Sequence, residues 1–197
     1  MNPFKSAFAR FAGLHRKLGR LILCLAVLLI VAACGGTAMK PINHVDYVNI
    51  ERCMGDWYVI ANIPTFIEKE AFNAVESYSQ NEDGSIATVF TFNKGSVDGE
   101  QKKYTPTGFV LDDPSNALWH MQFLWPFKSD YRIVYLDSDY KVTAIGRQKR
   151  DYVWIMARTP SIDDQTYSAI VDYLVGQGYE RDKIQRVPQQ WPNKQSG

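Results

Sequence analysis

Reactive side chains are scarce in this sequence, which has 3 histidines and 3 cysteines among 197 residues. They never fall into a His-x-x-x-His or Cys-x-x-Cys spacing, and no Gly-x-Ser-x-Gly elbow occurs. Neither a zinc site nor a serine-hydrolase site therefore has a sequence basis. Gly95-Ser96-Val97-Asp98-Gly99 is bounded by glycines but lacks the Lys-Ser/Thr of a phosphate cradle, and it separates two β-rich runs, so it reads as a hairpin loop. His120 alternates with apolar neighbours and is expected to face outward. We expect no metal, no cofactor and no catalysis. Long apolar runs are missing too. The longest, Leu21–Ala33, has 13 residues and would rise only ~20 Å as a helix, against a hydrocarbon core of ~30 Å. No repeat at a period of 20–50 residues is present, which excludes solenoid and propeller architectures.

Acid is absent from the first 33 residues, which carry Lys5, Arg10, Arg16, Lys17 and Arg20 before the apolar run. That charge order is a signal peptide's. The run ends in Val31-Ala32-Ala33-Cys34, which resembles the lipobox of bacterial lipoproteins. The resemblance implies that residues 1–33 are removed and that Cys34 becomes the N-terminus and is acylated, with palmitate among the chains. Gly35 and Gly36 follow it without an inner-membrane-retaining aspartate, so the outer membrane's periplasmic face is expected. Residues 34–45 contain small residues and Pro41 with no apolar period, as a tether should. Loss of the five leader cations leaves a net-acidic chain, since the whole has 22 basic and 21 acidic residues; nucleic acid is a poor partner for it. Cys53 alone remains in the body, so no intramolecular disulfide forms there, and it reads as a small buried apolar residue.

What is abundant is β-patterned sequence. Eight short runs are separated by turn residues: Trp57–Ile63, Asn73–Gln80, Ser85–Asn93, Gln101–Leu111, Ala117–Leu124, Tyr131–Asp137, Lys141–Gln148 and Asp151–Arg158. Hairpin spacing of this kind predicts an all-β, up-and-down antiparallel protein. Trp119, Met121 and Phe123 alternate with His120 and Gln122, and Tyr152, Trp154 and Met156 with Val153 and Ile155. The last run is apolar on both faces, so its outer face needs a cover. Ser161, Asp163 and Asp164 start a helix in which Tyr167, Ile170, Val171 and Leu174 stand at i, i+3, i+4 and i+7, before Gly176 and Gly178. The expected fold is an eight-stranded β-barrel over residues 46–190 with one C-terminal helix packed outside, followed by a tail, residues 191–197. Closure removes sheet edges and leaves an interior able to hold one small ligand; aromatics, 13% of the chain, would line or fill it.

Three motifs carry a family resemblance. Gly55-Asp56-Trp57 resembles the lipocalin Gly-x-Trp signature, Ser138-Asp139-Tyr140 the Thr-Asp-Tyr turn with serine for threonine, and Trp154–Pro160 the third conserved region with its arginine, Arg158. The chain is similar to bacterial outer-membrane lipocalins and their apolipoprotein-D-like relatives. The resemblance implies that Trp57 plugs the closed end under Arg158, that Ile50–Met54 crosses the bottom as a helical turn, and that Gly55, Asp139 and Tyr140 define the fold rather than touch ligand. It implies fatty acids or lysophospholipids as cargo, and a role in envelope maintenance or stress. The residues expected to meet ligand are Phe90, Trp119, Met121, Phe123, Tyr131, Ile133, Tyr135, Trp154 and Met156. A structural or interaction lipoprotein with a filled barrel, and a lipocalin-type enzyme such as an isomerase, are the alternatives; a homodimer is left open. Ala74, Glu76 and Tyr78 share one face of their run. Val75 is expected inward and Glu76 in solvent; if the reverse held, burial would raise the Glu76 pKa and let it bond a cargo hydroxyl. Lipocalin topology also implies that mouth loops bearing Lys128, Arg147, Arg150 and Glu68 are basic on balance, which would draw an anionic head to the entrance.

Overall fold

The computed structural model describes residues 39–191. The leader, Cys34 with the first part of the tether, and residues 192–197 lie outside the described residues. Elements follow in the order α1 (Ile50–Cys53), β1 (Gly55–Ile63), β2 (Ala71–Gln80), β3 (Ile86–Lys94), β4 (Gln101–Tyr104), β5 (Thr107–Val110), β6 (Leu118–Leu124), β7 (Phe127–Leu136), β8 (Val142–Gly146), β9 (Val153–Ala157), α2 (Asp164–Gly176) and β10 (Gln185–Arg186). All sheet pairings are antiparallel, and β1 pairs with β9 from Tyr58↔Ala157 to Ile63↔Val153, which closes the barrel. The expected run Gln101–Leu111 is two segments on one stave, with β4 on the outer half of β3 and β5 on the half near Ile86. Pro106, which has no N–H for the ladder, interrupts it.

Period-two alternation sorts the side chains. Trp154 and Met156 belong to the interior cluster, while Val153, Ile155 and Ala157 belong to an outer cluster with Ile170, Val171 and Leu174 of α2. Asp163 starts that helix by accepting from the Thr166 N–H at 2.8 Å. Its far end is tied back by Tyr179, whose hydroxyl accepts from Arg147 N at 2.9 Å. A Cβ on Gly146 would lie 2.6 Å from that hydroxyl oxygen, so the approach requires glycine.

Three features depart from the sequence reading. Tyr135, expected inside, lies outside: the β7–β8 register shifts between Ile133 and Tyr135, so one extra residue turns Val134 and Tyr135 to the outer face. Its ring meets Tyr173 of α2 at 5.9 Å. Residues 41–45, assigned to the tether, are packed: Ile42 is buried and Val45 N donates to Ile133 O at 3.0 Å. Finally, β10 and the residues after it wedge between β1 and β2. Asn73, with φ of 52°, bulges β2 away from β1. Its backbone N–H donates to Pro188 O at 2.9 Å and its side chain bonds both Gln190 backbone groups. The Gln189 amide reaches Val59 O at 2.9 Å and Ala74 O at 3.0 Å, bridging the two strands.

At the closed end Trp57 and Arg158 stack. Trp57 is buried, its indole N–H donates to Cys53 O at 2.8 Å, and the Arg158 guanidinium lies 3.8 Å from its ring centroid. Arg158 also donates to Asp56 O at 2.8 Å and Arg52 O at 2.7 Å, clamping α1 to β1. Gly55 has φ of +89°, a conformation that favours glycine. Tyr140 (φ 60°) accepts Asn49 N at 2.8 Å and carries Arg52 on its ring. Asp139, expected to define the turn, pairs with Lys141 in solvent, whereas Asp137 accepts two backbone N–H groups at 2.7 Å and carries the turn. Trp57→Ala empties this floor and strips Arg158 of its ring. It should cost ~3–5 kcal/mol in urea unfolding; wild-type stability in that variant would contradict the floor assignment.

Candidate functional site

The barrel interior has two layers. The lower layer is filled: Trp57, Tyr78, Trp119, Ile133 and Met156 enclose a void of only about 10 Å³. Trp119, Ile133 and Met156, expected to meet ligand, therefore form a packed layer under the cavity. Above it opens a cavity of about 380 Å³, bounded by Phe90, Tyr104, Met121, Phe123, Tyr131, Tyr152 and Trp154, with Glu68, Glu76, Asp130 and Arg147 among the polar groups. Of the sequence-derived lining, Phe90, Met121, Phe123, Tyr131 and Trp154 are here. Phe123 sits at the rim, 52% exposed. Tyr152 shares the inward face of Trp154 and Met156, so its alternation already marked it. Phe66, Ile67 and Glu68 come from the β1–β2 loop, where no periodicity could point to them.

Two carboxyls are buried in this aromatic setting. Glu76 faces inward, the reverse of the expectation, because Ala74, Glu76 and Tyr78 form the inner face of β2 and Val75 lies on the other. The Tyr131 hydroxyl donates to Glu76 Oε2 at 3.4 Å and is itself bonded to the Tyr78 hydroxyl. Burial above all pushes the Glu76 carboxyl from its ordinary 4.5 up to about 7. Glu68, expected as an exposed loop charge, is 5% exposed. It accepts from the Trp154 indole N–H at 2.9 Å and from Thr65 N at 2.9 Å, and burial raises its pKa despite those bonds. Cys53, in the floor, is raised to about 11 by burial, which keeps it a thiol.

Exposed apolar side chains ring the entrance. Phe66 and Trp125 are each 81% exposed, and Leu124 and Phe127 are also open to solvent at the tip of the β6–β7 hairpin. The basic entrance expected from the loops is reduced. Arg150 donates to Gln177 O at 3.0 Å and Gln148 O at 2.6 Å, Lys128 lies over the Phe109 ring at 3.7 Å, and Arg147 pairs with Asp151 at 3.4 Å. Among the described residues no group of three His, Cys, Asp or Glu side chains could hold a metal, and no helix is long and apolar enough to cross a membrane.

A floor of tryptophan under arginine, eight antiparallel staves and an outer helix are joined by a direct match: the family model described as Lipocalin-like domain covers residues 48–189. The chain belongs to the lipocalin family. Temperature-induced lipocalin-1 of Arabidopsis thaliana is 31% identical over 162 residues, spanning 78% of this lipocalin and 86% of that protein. Outer membrane lipoprotein Blc of Citrobacter freundii is 31% identical over 166 residues, spanning 83% and 92%. Insecticyanin from the tobacco hornworm Manduca sexta superposes with a TM-score of 0.57 at 12% identity, covering 79% of this chain and 85% of that one, which bears on the fold alone. Proteins of the lipocalin family bind small hydrophobic ligands.

The Glu76 shift has a sign. Below 4.5 the group is protonated whether the chain is folded or not; between 4.5 and about 7 the folded protein keeps a proton that the unfolded chain has released. Stability therefore falls as pH rises across that window, by up to about 3 kcal/mol. Glu76→Gln should remove this loss, so urea midpoints of variant and wild type should diverge in the variant's favour from pH 4.5 to 7.5. A difference independent of pH would place Glu76 in water.

Proposed function

We propose that this lipocalin is a lipid-anchored binding and carrier protein for fatty acids or lysophospholipids at the periplasmic face of the outer membrane, acting in envelope maintenance or stress and performing no chemistry. The single observation that carries the reading is the aromatic cavity of about 380 Å³ above a filled floor, open at an apolar rim. A volume of that order suits one small ligand, and it speaks against a barrel filled throughout. The anchor reading rests on Val31-Ala32-Ala33-Cys34, with Cys34 as the acylated N-terminus, and on similarity to proteins named outer membrane lipoprotein.

An acyl chain inserted between Phe90, Met121, Tyr131 and Trp154 gains ~0.8 kcal/mol per buried methylene before ordering costs, which puts affinity for a chain of about ten carbons near the micromolar range. The exposed Phe66, Phe123, Trp125 and Phe127 continue that apolar surface outward and give a chain a path from a lipid surface into the barrel. Titration of saturated fatty acids of increasing length should show affinity rising with each methylene and levelling once the cavity is full. Met121→Trp, which fills the cavity from β6, should lower the plateau at least tenfold. Affinity independent of chain length would overturn the acyl-cavity reading.

A further inference from the structure

The cavity has a polar base, and a plain acyl chain gives that base nothing to bond. Glu76 stands on β2 at the boundary between the filled layer and the cavity, facing Tyr131 of β7 across the barrel. Its hydrogen-bonding neighbours are two hydroxyls, that of Tyr131 at 3.4 Å and that of Tyr78, and among the described residues no cation is paired with it. A carboxylate has about four acceptor positions, so the two hydroxyls leave room for a further donor from the cavity that Glu76 lines. Arg147, the basic side chain in the same wall, pairs with Asp151 at 3.4 Å and lies over Tyr152. The other polar wall groups add negative charge or none: Glu68 is held by Trp154 and Thr65, and Asp130 by Arg132 at 2.8 Å and Gln148 N at 2.6 Å.

We propose that Glu76 and Tyr131 form a polar anchor at the cavity base for a ligand whose inner end donates a hydrogen bond, a terminal hydroxyl or protonated amine on an apolar body, and that an anionic end is turned to the mouth. The proposal rests on the carrier reading above and sharpens its ligand class. A methyl end against Glu76 removes its water and returns no bond, whereas a hydroxyl end returns one, and hydrogen bonds to charged groups are the stronger kind. A carboxylate or phosphate end at this depth would meet Glu76 and Glu68, and Arg147, the cation among the described wall residues, already stands beside Asp151. Burial and the neighbouring Glu68 hold the Glu76 carboxyl near 7, so at pH 8 it is mostly ionised and an acceptor only.

The test is calorimetric titration at pH 8 of decanoate, 10-hydroxydecanoate and 10-aminodecanoate against wild type, Glu76→Gln and Glu76→Leu. Wild type should prefer each donor-ended compound to decanoate by about tenfold or more. Glu76→Gln should keep part of the hydroxyl preference and lose the amine preference, because its amide oxygen accepts but carries no charge. Glu76→Leu should lose both preferences and bind decanoate at least as well as wild type. Equal affinity for the three compounds in wild type, with binding itself intact, overturns the anchor and leaves the carrier reading standing. No binding of any of the three overturns both. Unchanged preferences in folded Glu76→Leu would assign the donor's partner elsewhere and overturn the role of Glu76.

Discussion

Closure of the sheet between β1 and β9 is the constraint on which everything else in this molecule depends. Once Tyr58 through Ile63 pair with Ala157 back to Val153, every stave has an inside and an outside, and the edge N–H and C=O groups of both strands are satisfied. The outside of β9 is apolar and must be covered, which fixes α2. The inside is aromatic and must be either packed or open. It is packed at one end, where Trp57 lies under Arg158 and Cys53 behind it, and open at the other, beside Phe66 and Phe123.

Closure is not complete along β1 by strands alone. The bulge at Asn73 separates the mouth half of β2 from β1, and the chain returns residues 185–190 to that gap, with backbone and amide groups bonded to both sides. An exposed gap there would leave unpaired backbone groups beside the cavity. The segment from Gln185 to Gln190 is thus part of the barrel wall beside the cavity.

Much of the architecture was legible in the sequence because it is written in side-chain period. Trp119 and Met121, and Trp154 and Met156, fall on the inner face as their alternation requires, and Ile170, Val171 and Leu174 cover the outer one. Tyr135 was misplaced because a single extra residue in β7 reverses the faces beyond it, and no local pattern announces a bulge. Glu76 was misplaced for a different reason: an acidic residue in an alternating run is normally read as the wet face, and only three-dimensional closure shows Tyr78 and Tyr131 around it. Glu68 and Phe66 sit in a loop, where chain direction rather than period decides orientation. Arg150 looked like a free entrance charge until its bonds to backbone carbonyls appeared. The boundary between filled layer and cavity, which separates Trp119, Ile133 and Met156 from Met121 and Trp154, depends on how large side chains from five strands meet, and period two carries no information about height.

The buried carboxyls qualify the simple picture of an oily barrel. The cavity wall is apolar along most of its length but carries Glu76 at its base and Glu68 at its side, which is the ground for the proposed ligand class. The central claim, that this lipocalin carries an amphiphilic lipid in its upper cavity, is tested most directly by native mass spectrometry of the full protein released from the membrane fraction of its source cells. The account predicts a noncovalent adduct with the mass of a single-chain lipid, lost on delipidation and restored by adding lysophospholipid. Protein that stays free of ligand both as isolated and after mixing with lysophospholipid and fatty acid would contradict it.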